Sequence, residues 1–135
     1  QSNDSTSGVA LDSTNNIYIT GRTISLNLIG GSGSRGNFDA FVVKLNPSGS
    51  QVVYTTYIVS GGDEFSNGLA VDSSGQAHIA GSTTGGLPVL NAFQSDFGGG
   101  SRDAFVARLS TNGAPNYITY FGGAADDAAV GIAVN

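Results

Sequence analysis

Cysteine, tryptophan and methionine are all absent from the 135 residues, and there is a single histidine. Without cysteine no disulfide can staple the fold, which permits an oxidising exterior without requiring one. Nucleophilic catalysis finds little support, since there is no thiol, no Gly-x-Ser-x-Gly elbow, and only His78 as an imidazole base. Charge is scarce as well: 5 basic and 10 acidic side chains leave a net charge of −5. Scattered cations in so small a number do not provide the clustered Lys and Arg that nucleic-acid binding requires. No apolar run approaches the ~18 residues that cross a bilayer. The opening stretch from Gln1 to Ser7 carries neither a basic nor an apolar segment, so no membrane span and no retained signal peptide is expected.

What the chain has in abundance is glycine (21), serine (17) and threonine (10). Long helices do not suit that composition. The apolar residues fall in short β-rich runs, Ile17 to Ile19, Phe41 to Val43 and Val52 to Tyr54, with turn residues between them. The expectation is an all-β globular chain, exported to the cell surface or the extracellular space.

Self-similarity organises the sequence. Gly8 to Gly21 aligns with Gly68 to Gly81 at a shift of 60, with 6 identities in 14; Asp39 to Gly49 aligns with Asp103 to Gly113 at a shift of 64, with 6 in 11. A third block, Tyr54 to Asp72, aligns with Tyr117 to Asn135 at a shift of 63. Each copy reads as four strands, at 8–12, 16–21, 39–45 and 52–58, then 68–72, 76–81, 103–109 and 116–121, with a ninth strand expected over 130–134. The Asp, Asn and Gly residues after Asp12, Asn46, Asp72 and Ser110 suit tight hairpin turns. A four-stranded antiparallel sheet that recurs about every 60 residues is the pattern of a β-propeller blade. The division is 1–58 for the first repeat, 59–121 for the second, and 122–135 for a connection and the first strand of a further blade.

Several segments carry a family resemblance: Gly8 to Ser13 and Gly68 to Ser73; Asn91-Ala92-Phe93-Gln94 with Phe97 to Gly100; Asp103 to Leu109; and Tyr117 to Gly123. In these the chain resembles the bacterial SBBP family of β-propeller repeats over nearly its whole length. The resemblance implies a propeller-type fold in large, exported or surface-associated proteins that mostly lack assigned catalysis. Ile24 to Ile29 departs from it, since the Ala-Phe-Gln element is missing there.

Propellers close with four or more blades, so two blades leave an apolar sheet face uncovered at each end. The expected partners are further copies of the chain or further blades of a longer one. Burial between sheets is expected for Phe41, Val43, Leu45, Tyr57, Phe105, Leu109 and Tyr120. The surplus segment Val130-Gly131-Ile132-Ala133-Val134 is a candidate for assembly by pairing with a neighbour's sheet edge, closing a ring or extending a filament. The alternative function is glycan or protein recognition by loops 22–38 and 82–102, projecting from one end of the blades.

The remaining motifs yield little chemistry. His78 stands where the first copy has Tyr18 and reads as an aromatic-compatible strand position. Gly31 to Gly36 matches Gly-x-Gly-x-x-Gly but opens no helix, so it reads as a loop. The pairs Asp63-Glu64 and Asp126-Asp127 recur between blades; they read as turn residues or caps for loop amides, with Ca2+ coordination as the alternative. No other cofactor is expected. Asp12 with Asp72, and Asp39 with Asp103, read as hydrogen-bonding groups at hairpins and strand starts. Asn3 begins an Asn-x-Ser glycosylation pattern, and Ser82-Thr83-Thr84 offers hydroxyls for O-linked sugar. A glycosidase would need paired carboxylates across a cleft, which two blades do not frame.

Overall fold

The computed structural model describes residues 3–25, 28 and 37–135. They form two four-stranded antiparallel sheets, each ordered as its strands follow in sequence. The first holds β1 (Asp4–Leu11), β2 (Ile17–Thr23), β3 (Asp39–Leu45) and β4 (Val52–Ile58); the second holds β5 (Glu64–Val71), β6 (Ala77–Thr83), β7 (Asp103–Leu109) and β8 (Pro115–Phe121). Among the described residues no helix is long and apolar enough to cross a membrane.

Local chemistry sets the hairpins. The Asp12 carboxylate accepts the amides of Thr14 (2.9 Å) and Asn16 (3.0 Å), and Asp72 accepts those of Ser74 (2.9 Å) and Gln76 (3.0 Å). The left-handed residue of each turn is Asn15 (φ 64°) or Gly75 (φ 77°), types that bear positive φ at little cost.

β1 and β5 begin earlier than the sequence pattern suggests, because each is carried past a bulge. The register slips at Ser7, between Thr6 and Gly8, and at Asn67, between Ser66 and Gly68. Facing the bulges are Gly21 and Gly81, where any Cβ would run into the carbonyl oxygen of Ser5 or Phe65. A bulge re-aims a side chain and bends its strand; here it turns Ser7 and Asn67 outwards from their own sheets.

The two sheets pack face to face, with β5 lying against β1, β2 and β3. The buried cluster takes Tyr18, Ala40, Val42 and Ile58 from the first sheet, and Ala77, Ile79, Phe105, Ala107, Leu109, Ile118 and Tyr120 from the second. Phe105, Leu109 and Tyr120 are buried between the sheets as expected; Phe41 and Val43 are buried too, at 4% and 1% exposure, but not between the sheets, which corrects that part of the expected core. Phe41, Val43, Leu45 and Tyr57 alternate with Ala40 and Val42 along paired strands, so they lie on the opposite face of the first sheet. Strand periodicity had marked both faces of β3 as apolar without saying which one meets β5.

Two further expectations are corrected. No strand forms over 130–134, and residues 122–135 have no regular secondary structure. A strand exists only as a member of a ladder, and this segment lacks the second strand that β2 gives to β1. Nor does the 82–102 connection project from the sheet: it turns back along β8. Leu90 and Ile118 exchange backbone hydrogen bonds (3.0 and 2.9 Å), and the Tyr120 amide donates to the Gln94 carbonyl (3.1 Å). An edge strand that presents free amides and carbonyls is thereby covered.

Candidate functional site

The surfaces that carry recurring polar chemistry are the seam between the sheets and the face that the second sheet turns away from it. At the hairpin end of the seam, the Tyr18 hydroxyl donates to the Gly75 carbonyl of the other sheet (3.0 Å), with Asp12 Oδ2 at 3.2 Å. Lys44 Nζ lies 3.5 Å from Asp12 and 4.9 Å above the Tyr18 ring, and Tyr54 meets that ring edge-on. Burial, reinforced by the Asp12 charge, raises the Tyr18 hydroxyl well above its ordinary pKa. Burial also acts upwards on Asp12, but hydrogen bonds from Asn16 and Thr14 win and hold its carboxyl well below the usual range. The second sheet repeats this group as His78, Asp72, Arg108 and Tyr117, on the face that no sheet covers. There His78 Nε2 sits 3.0 Å from Asp72, whose carboxyl is lowered by that contact and by the Gln76 and Ser74 amides. The Arg108 guanidinium lies 5.2 Å over the Tyr117 ring.

At the opposite end, each sheet carries a row of acid, threonine and aspartate in register: Asp4, Thr23 and Asp39 in the first, Glu64, Thr83 and Asp103 in the second. Thr23 donates to Asp4, and Thr83 to Glu64 Oε1 (2.9 Å). Asp103 Oδ2 accepts the Gly98 amide (2.5 Å), pinning the end of the β6–β7 connection. The recurring acidic pairs divide their work. Asp63 accepts the Phe38 amide (2.9 Å), and Asp126 accepts the Ser101 amide (2.5 Å) and hydroxyl (2.7 Å), so both cap the segment that leads into β3 or β7. Those contacts hold the Asp126 carboxyl below its ordinary value. Glu64 is fully buried, whereas Asp127 accepts the Gly123 amide (2.7 Å) and is only half-buried. Among the described residues, no three metal-ligating side chains converge.

Arg22 and Arg102 stack over Phe65 at 5.1 and 4.8 Å, and Arg22 also lies 4.9 Å from the Phe38 ring. Stacked guanidinium and aromatic groups of this kind are worth ~0.5–1 kcal/mol each at exposed sites, and they tie the two sheets at the edge of the seam.

Residues 122–135 repeat the seam on the second sheet. Across the first seam Ser7 Oγ donates to the Ser66 carbonyl (2.5 Å); from the equivalent bulge Asn67 Nδ2 donates to the Ala129 carbonyl (2.8 Å). The Glu64 amide donates to the Phe38 carbonyl (2.7 Å), and the Asp127 amide donates to the Arg102 carbonyl (2.8 Å). Gly68 lies so close to Gly131 that a Cβ would meet its Cα at 2.8 Å, as Gly8 lies against Leu69. The segment Val130 to Val134 is therefore docked onto its own second sheet by its face, not paired along a sheet edge, and Val130 is 84% exposed.

The other expected sites fall variously. Gly31 to Gly36 lies outside the described residues. Asn3 is exposed just ahead of β1. Ser82 and Thr83 belong to β6 and are 3% and 0% exposed, which leaves Thr84 as the one exposed hydroxyl of the trio expected to offer itself to O-linked sugar. Sequence reasoning missed the Tyr18–Asp12–Lys44 group, although its signal was present: an Asp six residues before Tyr18 and His78, and a cation at 44 and 108. It also missed Ser7 and Asn67, which share no residue type.

The family model described as the SBBP beta-propeller repeat matches residues 1–33 and 53–88. No curated protein matches the chain.

Proposed function

Since the chain belongs to the SBBP beta-propeller repeat family, we propose that it is a noncatalytic structural module, exported from the cell, whose two outer faces receive further blades of the same repeat type. The observation that carries this reading is the placement of residues 122–135. They make, against the second blade, the same contacts that the inner strand of the second blade makes against the first. On this reading they are the segment that becomes the innermost strand of a third blade once three further strands are supplied. The sheet that fits here is one that leaves its inner position free for Val130 to Val134 and pairs with them in antiparallel. At the other end, Val9 and Leu11 are 69% and 58% exposed on the same face as Ile17, Ile19 and Leu45, a surface suited to a preceding blade.

The test follows from the repeat register, in which Asn135 stands at the place of Asp12. Fusing a second copy of residues 13–58 after Asn135 supplies the missing strands. The amides of Val130 to Val134 then become protected from hydrogen exchange and the melting temperature rises. Amides that stay as exposed as in the parent chain would refute the reading. In the parent chain, removing residues 128–135 leaves the eight strands folded and weakens self-association, read as a smaller particle in light scattering.

A further inference from the structure

We propose that Glu64 is a proton-operated latch in the blade seam, closed when its carboxyl holds a proton and loosened when that proton leaves. The side chain is 0% exposed at the start of β5, where its own amide donates across the seam to the Phe38 carbonyl (2.7 Å). Oε1 accepts the hydroxyls of Ser60 (2.5 Å) and Thr83 (2.9 Å). Oε2 is buried with no hydrogen-bond donor among the described residues. An ionised carboxylate in that position has one oxygen stripped of water and given nothing in return, which low-dielectric surroundings penalise heavily.

Among the described residues, the groups around it offer no relief. Asp39 acts on it from β3 of the first blade and Asp63 from its own connection, both carboxylates, and the Tyr120 hydroxyl faces it from β8. Among the described residues, the guanidiniums at this end are those of Arg22 and Arg102, both stacked over the Phe65 ring. Burial pushes the Glu64 carboxyl up to about 7; the Ser60 and Thr83 hydroxyls pull against that, and Asp39 and Asp63 add to it. A group whose proton is held more tightly in the closed state favours closure fully below its ordinary value of 4.5, and that advantage disappears as the pH climbs through about 7. The third-blade segment provides a control, because Asp127 occupies the equivalent place with its Oδ2 accepting the Gly123 amide and stays half-buried.

The latch belongs to the seam inside the chain and does not depend on further blades docking. Hydrogen exchange of the intact chain tests it through two equivalent amides. After correction for intrinsic exchange, protection of the Glu64 amide falls roughly tenfold or more between pH 5.5 and pH 8, while that of the Asp127 amide does not. In Glu64→Gln the fall is abolished; in His78→Gln, altered at the hairpin end, it remains. Carboxyl carbon NMR of the unaltered chain decides the matter should the Gln variant not fold, and Glu64 is expected to titrate well above the other carboxylates. Titration of Glu64 in the ordinary glutamate range, or an equal fall at both amides, overturns the proposal.

Discussion

The seam between the blades and the seam between the second blade and residues 122–135 are built to one plan but finished differently. Both use a bulge residue to reach a carbonyl on the neighbour, and both join a strand-start amide to the carbonyl before β3 or β7. Only the first is filled, with Tyr18, Phe105, Leu109 and Tyr120 closing over it. The second has only the irregular segment 122–135 laid on it, and Val130 in that segment remains open to solvent. The difference teaches that polar contacts set where a neighbouring strand sits, while apolar burial from a complete sheet decides whether the seam is stable; a hydrogen bond nets only ~1 kcal/mol.

The largest expected effect separates equivalent phenylalanines. Both are buried, Phe105 at 0% exposure inside the seam and Phe41 at 4% on the face of the first blade that no second sheet covers. Phe105→Ala should cost about 3–5 kcal/mol, and Phe41→Ala distinctly less, by urea denaturation; equal losses would mean that the two faces are equally well covered. Next come the glycines opposite the bulges. Gly21→Ala and Gly81→Ala each force a methyl against a backbone carbonyl and should cost about 1–3 kcal/mol, with similar values in the two blades if the bulges are equivalent.

A smaller difference is expected between the hairpin aspartates. Asp12→Asn should destabilise by about 1–2 kcal/mol at neutral pH. Because hydrogen bonds lower the Asp12 carboxyl, its contribution is present above the ordinary aspartate value of 3.8 and is lost as pH falls below it. Thermal unfolding from pH 7 down to pH 2 should therefore bring variant and parent together. Asp72→Asn, in the more exposed copy, should show a weaker convergence. The smallest effect is Asn67→Ala, worth about 0.5–1.5 kcal/mol locally; loss of its bond to the Ala129 carbonyl should loosen the segment, speed exchange of the Ala129 amide from the Gly81 carbonyl to which it donates (3.2 Å), and leave global unfolding unchanged.

Much of this architecture is legible in the residues. Asp12 and Asp72 announce their turns, since an Asx side chain satisfies the amides two and four residues on, and the 60-residue repeat marks the four strands of each sheet and their order. The bulges escape notice because they depend on a backbone slip, and Ser7 and Asn67 have no common side-chain signature. The facing of β3 escapes because Phe41 and Val42 are both apolar. Glu64 escapes because an acidic residue beside Asp63 in a glycine-rich connection has the local look of a solvated turn, and only packing against the neighbouring blade makes it interior. The ninth strand fails for a related reason: Val130 to Val134 have the right composition, but strand geometry needs a neighbour that local composition does not supply.

The return of residues 87–97 along β8 limits the directions in which this architecture is able to grow. With the peripheral rim of the second blade sheathed by its own connection, an incoming polypeptide finds no bare ladder there to lengthen. The further blades proposed above are left the two sheet faces as their only points of attachment to this part of the chain.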